Sequence, residues 1–191
     1  MEKFIDREQE LDTLQSEYER KGSSLVILYG RRRAGKTTLI TEFIQDKNAL
    51  FFLASEESEI QNRNAFKDKA AEFIDSGLLR ETSVSSWDAI FKAILERSFD
   101  SKPIIERLSS VMVILCGSLI SMMESQTLAY NSPLYGRRTA QIRLGQIPFR
   151  YYGEFFPGKS RRELIEMYAI TGGVPKYVEV FSESKDIYRA I

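Results

Sequence analysis

The chain has 191 residues, 43% of them hydrophobic, enough for one core with a small appendage. Its 27 Lys and Arg balance 27 Asp and Glu, so no global field draws in nucleic acid or an anionic membrane, and either partner would need a local patch. There is no histidine, which excludes His-based general-base catalysis and His metal sites, and the single cysteine, Cys116, cannot form an internal disulfide.

Met1-Glu2-Lys3-Phe4 carries charge where a signal peptide would be apolar. The longest apolar stretch, Val111 to Met123, is too short and interrupted to span a bilayer. A cytoplasmic protein without membrane contact is expected. Asp6-Arg7-Glu8-Gln9 reads as a capping box with Asp6 as N-cap. It opens a helix with Leu11, Leu14 and Tyr18 along one face, ending at Gly22. Leu25-Val26-Ile27-Leu28-Tyr29 predicts a strand buried on both faces, as in a parallel sheet. Gly30-Arg31-Arg32-Arg33-Ala34-Gly35-Lys36-Thr37 follows and fits G-x-x-x-x-G-K-[ST] without mismatch. The next helix begins Thr38-Leu39-Ile40 and runs to about Gln45.

Ala49-Leu50-Phe51-Phe52-Leu53 predicts a second strand. A helix carrying Phe66, Ala70 and Phe73 follows and stops near Gly77. Another starts near Ser86, with Trp87, Ile90, Phe91, Ile94 and Leu95 at helical spacing as core residues. Val111-Met112-Val113-Ile114-Leu115 predicts another buried strand, with Cys116 as a small core residue and Gly117-Ser118 at its carboxyl end. A polar loop with Tyr135-Gly136-Arg137-Arg138-Thr139 leads to a short strand, Gln141-Ile142-Arg143-Leu144. Ser160-Arg161-Arg162-Glu163 is a second capping box, opening a helix closed by Gly172-Gly173. Val174-Pro175 starts one more helix.

The glycine-bounded segment carries the chemistry. Unpaired N–H groups at a helix start, with the helix dipole behind them, suit concentrated negative charge. Gly30 and Gly35 let the backbone approach oxygens where a Cβ would collide. Lys36 is placed to reach β- and γ-phosphates, and the Thr37 hydroxyl to ligate Mg²⁺. For Arg31, Arg32 and Arg33, contact with phosphate or a partner and a solvated loop face both stay open. Ser118 would lie near the phosphates if its strand neighbours the first, since ligands bind beyond the carboxyl ends of parallel strands.

Together these blocks resemble the archaeal-type ATPases, relatives of the STAND and AAA+ P-loop NTPases. Phe4-Ile5-Asp6-Arg7-Glu8-Gln9-Glu10-Leu11 is similar to the family's opening, and Gly30 to Thr37 to its Gly-Arg-Arg-Arg phosphate loop. Leu115-Cys116-Gly117-Ser118 with Met122-Met123-Glu124 resembles the sensor strand. Pro133 to Thr139, Pro148-Phe149, Glu154 to Pro157 and Tyr168 to Pro175 resemble later blocks.

The resemblance implies a three-layer α/β/α P-loop fold with a mostly parallel sheet, over residues 1–150. The start of a small helical lid would occupy 151–191. It implies ATP and Mg²⁺ as ligands, with the phosphates held by Gly30 to Thr38, including Ala34 and Thr38. Ile5 and Arg7 would form part of an adenine pocket, and Pro175 the Gly-x-Pro element of the lid. Ser118 would sense the γ-phosphate, and Arg137 or Arg138 would sense phosphate or act in trans. For the arginine pair a solvated loop is the other open reading, and for Pro175 an ordinary helix-start proline.

The sequence departs from the family in two places. Asp6 stands where the family has Gly. The family's Walker B strand, ending in Asp-Glu, is missing between the Trp87 helix and the sensor strand, because Pro103 to Val111 is too short for a βαβ unit. Glu106, Glu56 and Glu57 are the nearest acids by position. The expectation is therefore an ATP-dependent switch with weak or absent hydrolysis and no output domain after Ile191. A P-loop phosphotransferase and a degenerate non-catalytic interaction protein are the alternatives. Without Walker B, the sensor strand either pairs with strand two or presents an open edge, and an open edge favours self-association or a protein partner.

Overall fold

The computed structural model describes residues 5–98, 111–132 and 134–183. Phe4, Pro133 and the interval carrying Glu106 lie outside the described residues. In chain order the elements are α1 (Glu8–Glu19), β1 (Ser24–Tyr29), α2 (Lys36–Ile44), α3 (Glu59–Phe73), α4 (Gly77–Glu81) and α5 (Trp87–Ser98). Then come β2 (Met112–Gly117), α6 (Ile120–Met123), β3 (Ala140–Arg143), α7 (Tyr152–Phe155), α8 (Arg161–Thr171) and α9 (Pro175–Glu183). The chain divides into two units, one drawing on 1–20, 24–45 and 112–191, the other on 21–23 and 46–111.

The first unit holds a three-stranded parallel sheet in the order β2-β1-β3, an α/β fold. β1 is central. Val26, Ile27, Leu28 and Tyr29 are all buried, as an unbroken apolar run requires when both faces are covered. Leu14 of α1 and Leu39, Ile40 and Phe43 of α2 are buried in the same unit. The Tyr18 and Phe43 rings meet edge-on with centroids 6.1 Å apart. A second cluster, Tyr152, Phe156, Met167, Val178 and Phe181, joins α7, α8 and α9. At its centre the Tyr152 and Thr171 hydroxyls share a hydrogen bond of 2.6 Å. α8 begins with the expected capping box: Ser160 Oγ accepts from the Glu163 N–H, and the Glu163 carboxylate accepts from the Ser160 N–H at 2.8 Å. It ends with Gly172 in the left-handed region.

The second unit packs α3, α4 and α5 around Phe66, Ala70, Ala71, Ile74, Leu79 and Ile90. Phe91, expected in the core, is half exposed and lies against the Phe66 ring, centroids 5.3 Å apart.

Several expectations are corrected. The chain over 49–53 is not a strand; it has no sheet partner among the described residues, with Leu50 and Phe52 packed on the helical cluster and Leu53 74% exposed. An apolar run specifies burial, and here helices supply it. The capping box at Asp6 does not form. Arg7 is the N-cap of α1, without a side-chain cap, because Asp6 sits at φ +59° and Glu8 takes the Arg7 N–H instead. Gly77 opens a helix rather than closing one. The α3 end comes earlier, at Ile74, and Ser76 caps α4 through the Leu79 N–H. Finally, β2 is not buried on both faces: Val113 is 38% and Leu115 36% exposed, and Cys116 is exposed too. Among the described residues β2 has β1 on one side and no strand on the other.

Candidate functional site

β1 runs straight into the glycine-bounded loop, and α2 starts at its lysine. Gly35 is the N-cap of α2 at φ +84°, a conformation that favours glycine, and it supplies no capping side chain. The first-turn N–H groups of a nine-residue helix therefore face whatever occupies the loop. Thr37 and Thr38 lie exposed on that turn.

Lys36 is 7% exposed. Its Nζ donates to the carbonyls of Gly30 and Arg31, 2.8 Å each, so the lysine folds back over its own loop. Burial holds its pKa below the ordinary lysine value. Phosphate oxygens are stronger acceptors than these carbonyls, so a polyphosphate can take over the same donors.

Gly30 is needed for a reason the motif does not reveal. A Cβ there would sit 2.3 Å from the Leu144 carbonyl oxygen. That contact arises because β3 leaves the sheet beside the loop, with the Leu144 N–H donating to Tyr29 O at 2.7 Å.

The parallel register places the other candidates. Gly117 stands opposite Tyr29, and the Gly30 N–H points at Gly117 O, 3.4 Å away, so Ser118 follows at the loop's shoulder. Pro175 lies beside the loop as well: a Cβ on Gly35 would be 3.6 Å from Pro175 Cγ. Ile5 is buried. Arg7 is buried too, its guanidinium donating to Gly145 O at 2.8 Å and to Glu10 at 3.4 Å. It thereby ties the start of α1 to the segment after β3.

Arg137 and Arg138 are not brought to the loop. Thr139, next to them, pairs with Leu25 at the amino end of β1, the N–H donating to Leu25 O at 2.9 Å. Leu25 and Gly30 are five strand steps apart, about 16 Å. Arg138 donates to Leu128 O at 3.2 Å and lies over the Tyr135 ring. Within one chain the pair faces the end of the sheet opposite the phosphate loop. Arg143, in register with Tyr29, is the arginine at the carboxyl end of β3, and the sequence reading missed it.

A second missed residue is Tyr177. Arg33, at φ +69° in the loop, donates from Nη1 to the Tyr177 hydroxyl at 2.8 Å. Its guanidinium carbon is 5.4 Å from the ring centroid. No sequence signal joins two residues this far apart in the chain.

Glu56 and Glu57 are exposed members of the second unit. Among the described residues no group of three or more Asp, Glu or Cys could hold a metal. Among the described residues no helix is long and apolar enough to cross a membrane.

A central parallel strand, a loop bounded by Gly30 and Gly35, and a helix starting at a buried lysine define a P-loop α/β protein. The chain belongs to the family of ATPase domains found predominantly in Archaea, whose pattern matches residues 4–105. It is 29% identical to an uncharacterised protein of Methanocaldococcus jannaschii over 92% of this chain and 43% of that protein. It is 46% identical to an uncharacterised ATP-binding protein of the same organism over 23% of this chain and 75% of that protein. Its fold is similar to that of the Signal Transduction ATPase with Numerous Domains (STAND) protein with a tetratricopeptide repeat sensor from Pyrococcus horikoshii. That likeness has a TM-score of 0.62 at 19% identity, over 97% of this chain and 31% of that one. The chain thus spans less than half the length of the first relative and of the structural neighbour. Family and fold together support an ATP-binding, ATPase-like protein.

Proposed function

We propose that the chain binds ATP with Mg²⁺ and acts as a nucleotide-dependent switch whose hydrolysis is weak or absent. The observation that carries this reading is Lys36, buried at the start of an uncapped helix with its ammonium on the Gly30 and Arg31 carbonyls. Main-chain amides from Gly30 to Thr38 cradle the phosphates, with Arg31, Arg32 and Ala34 on the rim. Lys36 exchanges carbonyl acceptors for β- and γ-phosphate oxygens. Thr37 supplies one oxygen to Mg²⁺, which neutralises phosphate charge when bound. Ser118 stands at the γ-phosphate end. Ile5 and Arg7 take the adenine side, and the helices from residue 151 onward form a lid whose Pro175 closes on the loop.

Hydrolysis asks for a carboxylate to orient water. The sequence offers no apolar run ending in Asp-Glu between the Trp87 helix and β2, where the resemblance would place that carboxylate. Arg137 and Arg138, at the far end of the sheet, are assigned to a γ-phosphate in trans, on a second copy of this chain. The edge of β2 that no strand covers among the described residues supports such association.

Nucleotide-dependent melting tests the reading. A ligand at a hundred times its dissociation constant adds about 2.7 kcal/mol to stability. ATP with Mg²⁺ should raise the melting temperature of the wild type and leave Lys36→Ala unmoved. Saturable Mg²⁺-dependent phosphate release lost in Lys36→Ala would overturn the claim of weak hydrolysis, and no shift with ATP or ADP would overturn binding.

A further inference from the structure

We infer that Tyr177 is a positioning residue for the nucleotide's phosphates, acting through Arg33 of the loop. The inference rests on the ATP-binding reading above.

Among the described residues, Arg33 is the one of the three loop arginines held by a side chain. Its holder is well anchored. Tyr177 lies in the first turn of α9, and its N–H donates to Val174 O at 2.9 Å. The next residue, Val178, and Phe181 are buried in the aromatic cluster with Tyr152 and Met167. α9 thus meets the loop at two points, apolar at Pro175 beside Gly35 and polar at Tyr177 on Arg33.

A guanidinium has five N–H donors in a planar fork. Tyr177 takes one, so the remainder can grip phosphate oxygens while the phenol still holds the group. An arginine on an exposed loop loses much side-chain freedom when it clamps an anion. The hydrogen bond to the Tyr177 hydroxyl, with the ring centroid 5.4 Å from the guanidinium carbon, restricts Arg33 before the ligand arrives. The loop and the first turn of α9 therefore bind a polyphosphate as one piece.

Titration calorimetry with Mg²⁺-ATP on the full chain tests this, comparing wild type, Tyr177→Phe, Arg33→Ala and the double variant. Tyr177→Phe keeps the ring and removes the hydroxyl. It should weaken ATP binding by several-fold to about tenfold, the scale of immobilising one rotamer-rich side chain on binding. Arg33→Ala should lose at least as much, and the double variant no more than Arg33→Ala alone. The salt dependence of ATP affinity should flatten in both single variants, which a merely structural role for Tyr177 would not produce. Arg33→Lys, which keeps the charge and loses the fork, should fall between wild type and Arg33→Ala. Unchanged ATP affinity in Tyr177→Phe, or fully additive losses in the double variant, would overturn the inference and leave ATP binding intact. A wild type that binds no ATP would overturn the reading beneath it.

Discussion

The ammonium of Lys36 and the carbonyl of Gly30 are 2.8 Å apart, so the loop is closed on itself by the residue expected to reach phosphate. Lys36→Met, which keeps the length and apolar stem, should retain the fold. Its melting temperature without nucleotide should stay within a few degrees of wild type, because a desolvated cation is removed along with its hydrogen bonds. The nucleotide-induced shift should vanish. Differential scanning calorimetry with and without ATP separates the two effects.

Gly173 should be far less replaceable than Gly136. Both have positive φ, +69° and +75°. A Cβ on Gly173 would lie 2.2 Å from Ile147 O and within 3.1 Å of the Tyr168 ring and hydroxyl, whereas Gly136 has nothing within 4 Å. Gly173→Ala should cost at least about 2 kcal/mol and Gly136→Ala about 1 kcal/mol, the latter from backbone strain alone. Urea unfolding of the two variants gives the comparison.

Asp6 occupies a left-handed backbone at φ +59° with a side chain largely out of water, and burial pushes its carboxyl pKa up. Asp6→Gly removes both the strain and the desolvated carboxylate. It should stabilise the chain by about 0.5–1 kcal/mol, despite the greater freedom of glycine when unfolded. Thermal melting should show a rise of a few degrees, and a fall would mean that the Asp6–Arg7 ion pair outweighs the strain.

Glu163 makes the stability of the α8 cap depend on pH. Its carboxylate accepts the Ser160 N–H and hydroxyl and pairs with Lys159, which lowers its pKa from 4.5 to about 2. Above pH 4.5 the carboxylate is ionised in both folded and unfolded chains, and the cap contributes in full. As pH falls, the unfolded chain takes the proton first, so the contribution shrinks and is lost below about pH 2. Glu163→Gln, which can still cap but not ionise, should show a shallower loss of stability across that window in circular-dichroism melts.

Self-association through β2 should be measurable by sedimentation. Val113→Lys puts a charge on an exposed position of β2, an uncharged strand at the sheet edge among the described residues. It should weaken any dimer by at least about tenfold, since edge lysines oppose strand pairing. A wild type that stays monomeric across concentration would rule out the edge as a homotypic contact.

What the sequence made legible was local. β1, the loop and α2 were readable because an apolar run, two glycines and a lysine act within a few residues of one another. The Ser160–Glu163 box and the Gly172 stop were readable for the same reason. The failures depend on partners. Leu50 and Phe52 signalled burial, but nothing in five residues says whether a sheet or a helical cluster supplies it. The exposure of Val113 and Leu115 depends on a neighbouring strand that β2 does not have among the described residues. Which end of the sheet Arg137 and Arg138 occupy was not legible either, because it follows from β3 running parallel to β1, which fixes the preceding loop at the amino ends. Ser58 with Gln61 caps α3, and that S-x-x-Q spacing was legible but unread.

The oxygen that crowds Gly30 belongs to Leu144, a main-chain group of the sheet. Selection against a side chain there would come from folding, whether or not any ligand is ever bound. A related chain that had abandoned nucleotides altogether would keep this residue, so its presence in a newly found sequence diagnoses architecture, while the lysine six positions later is the one to inspect for activity.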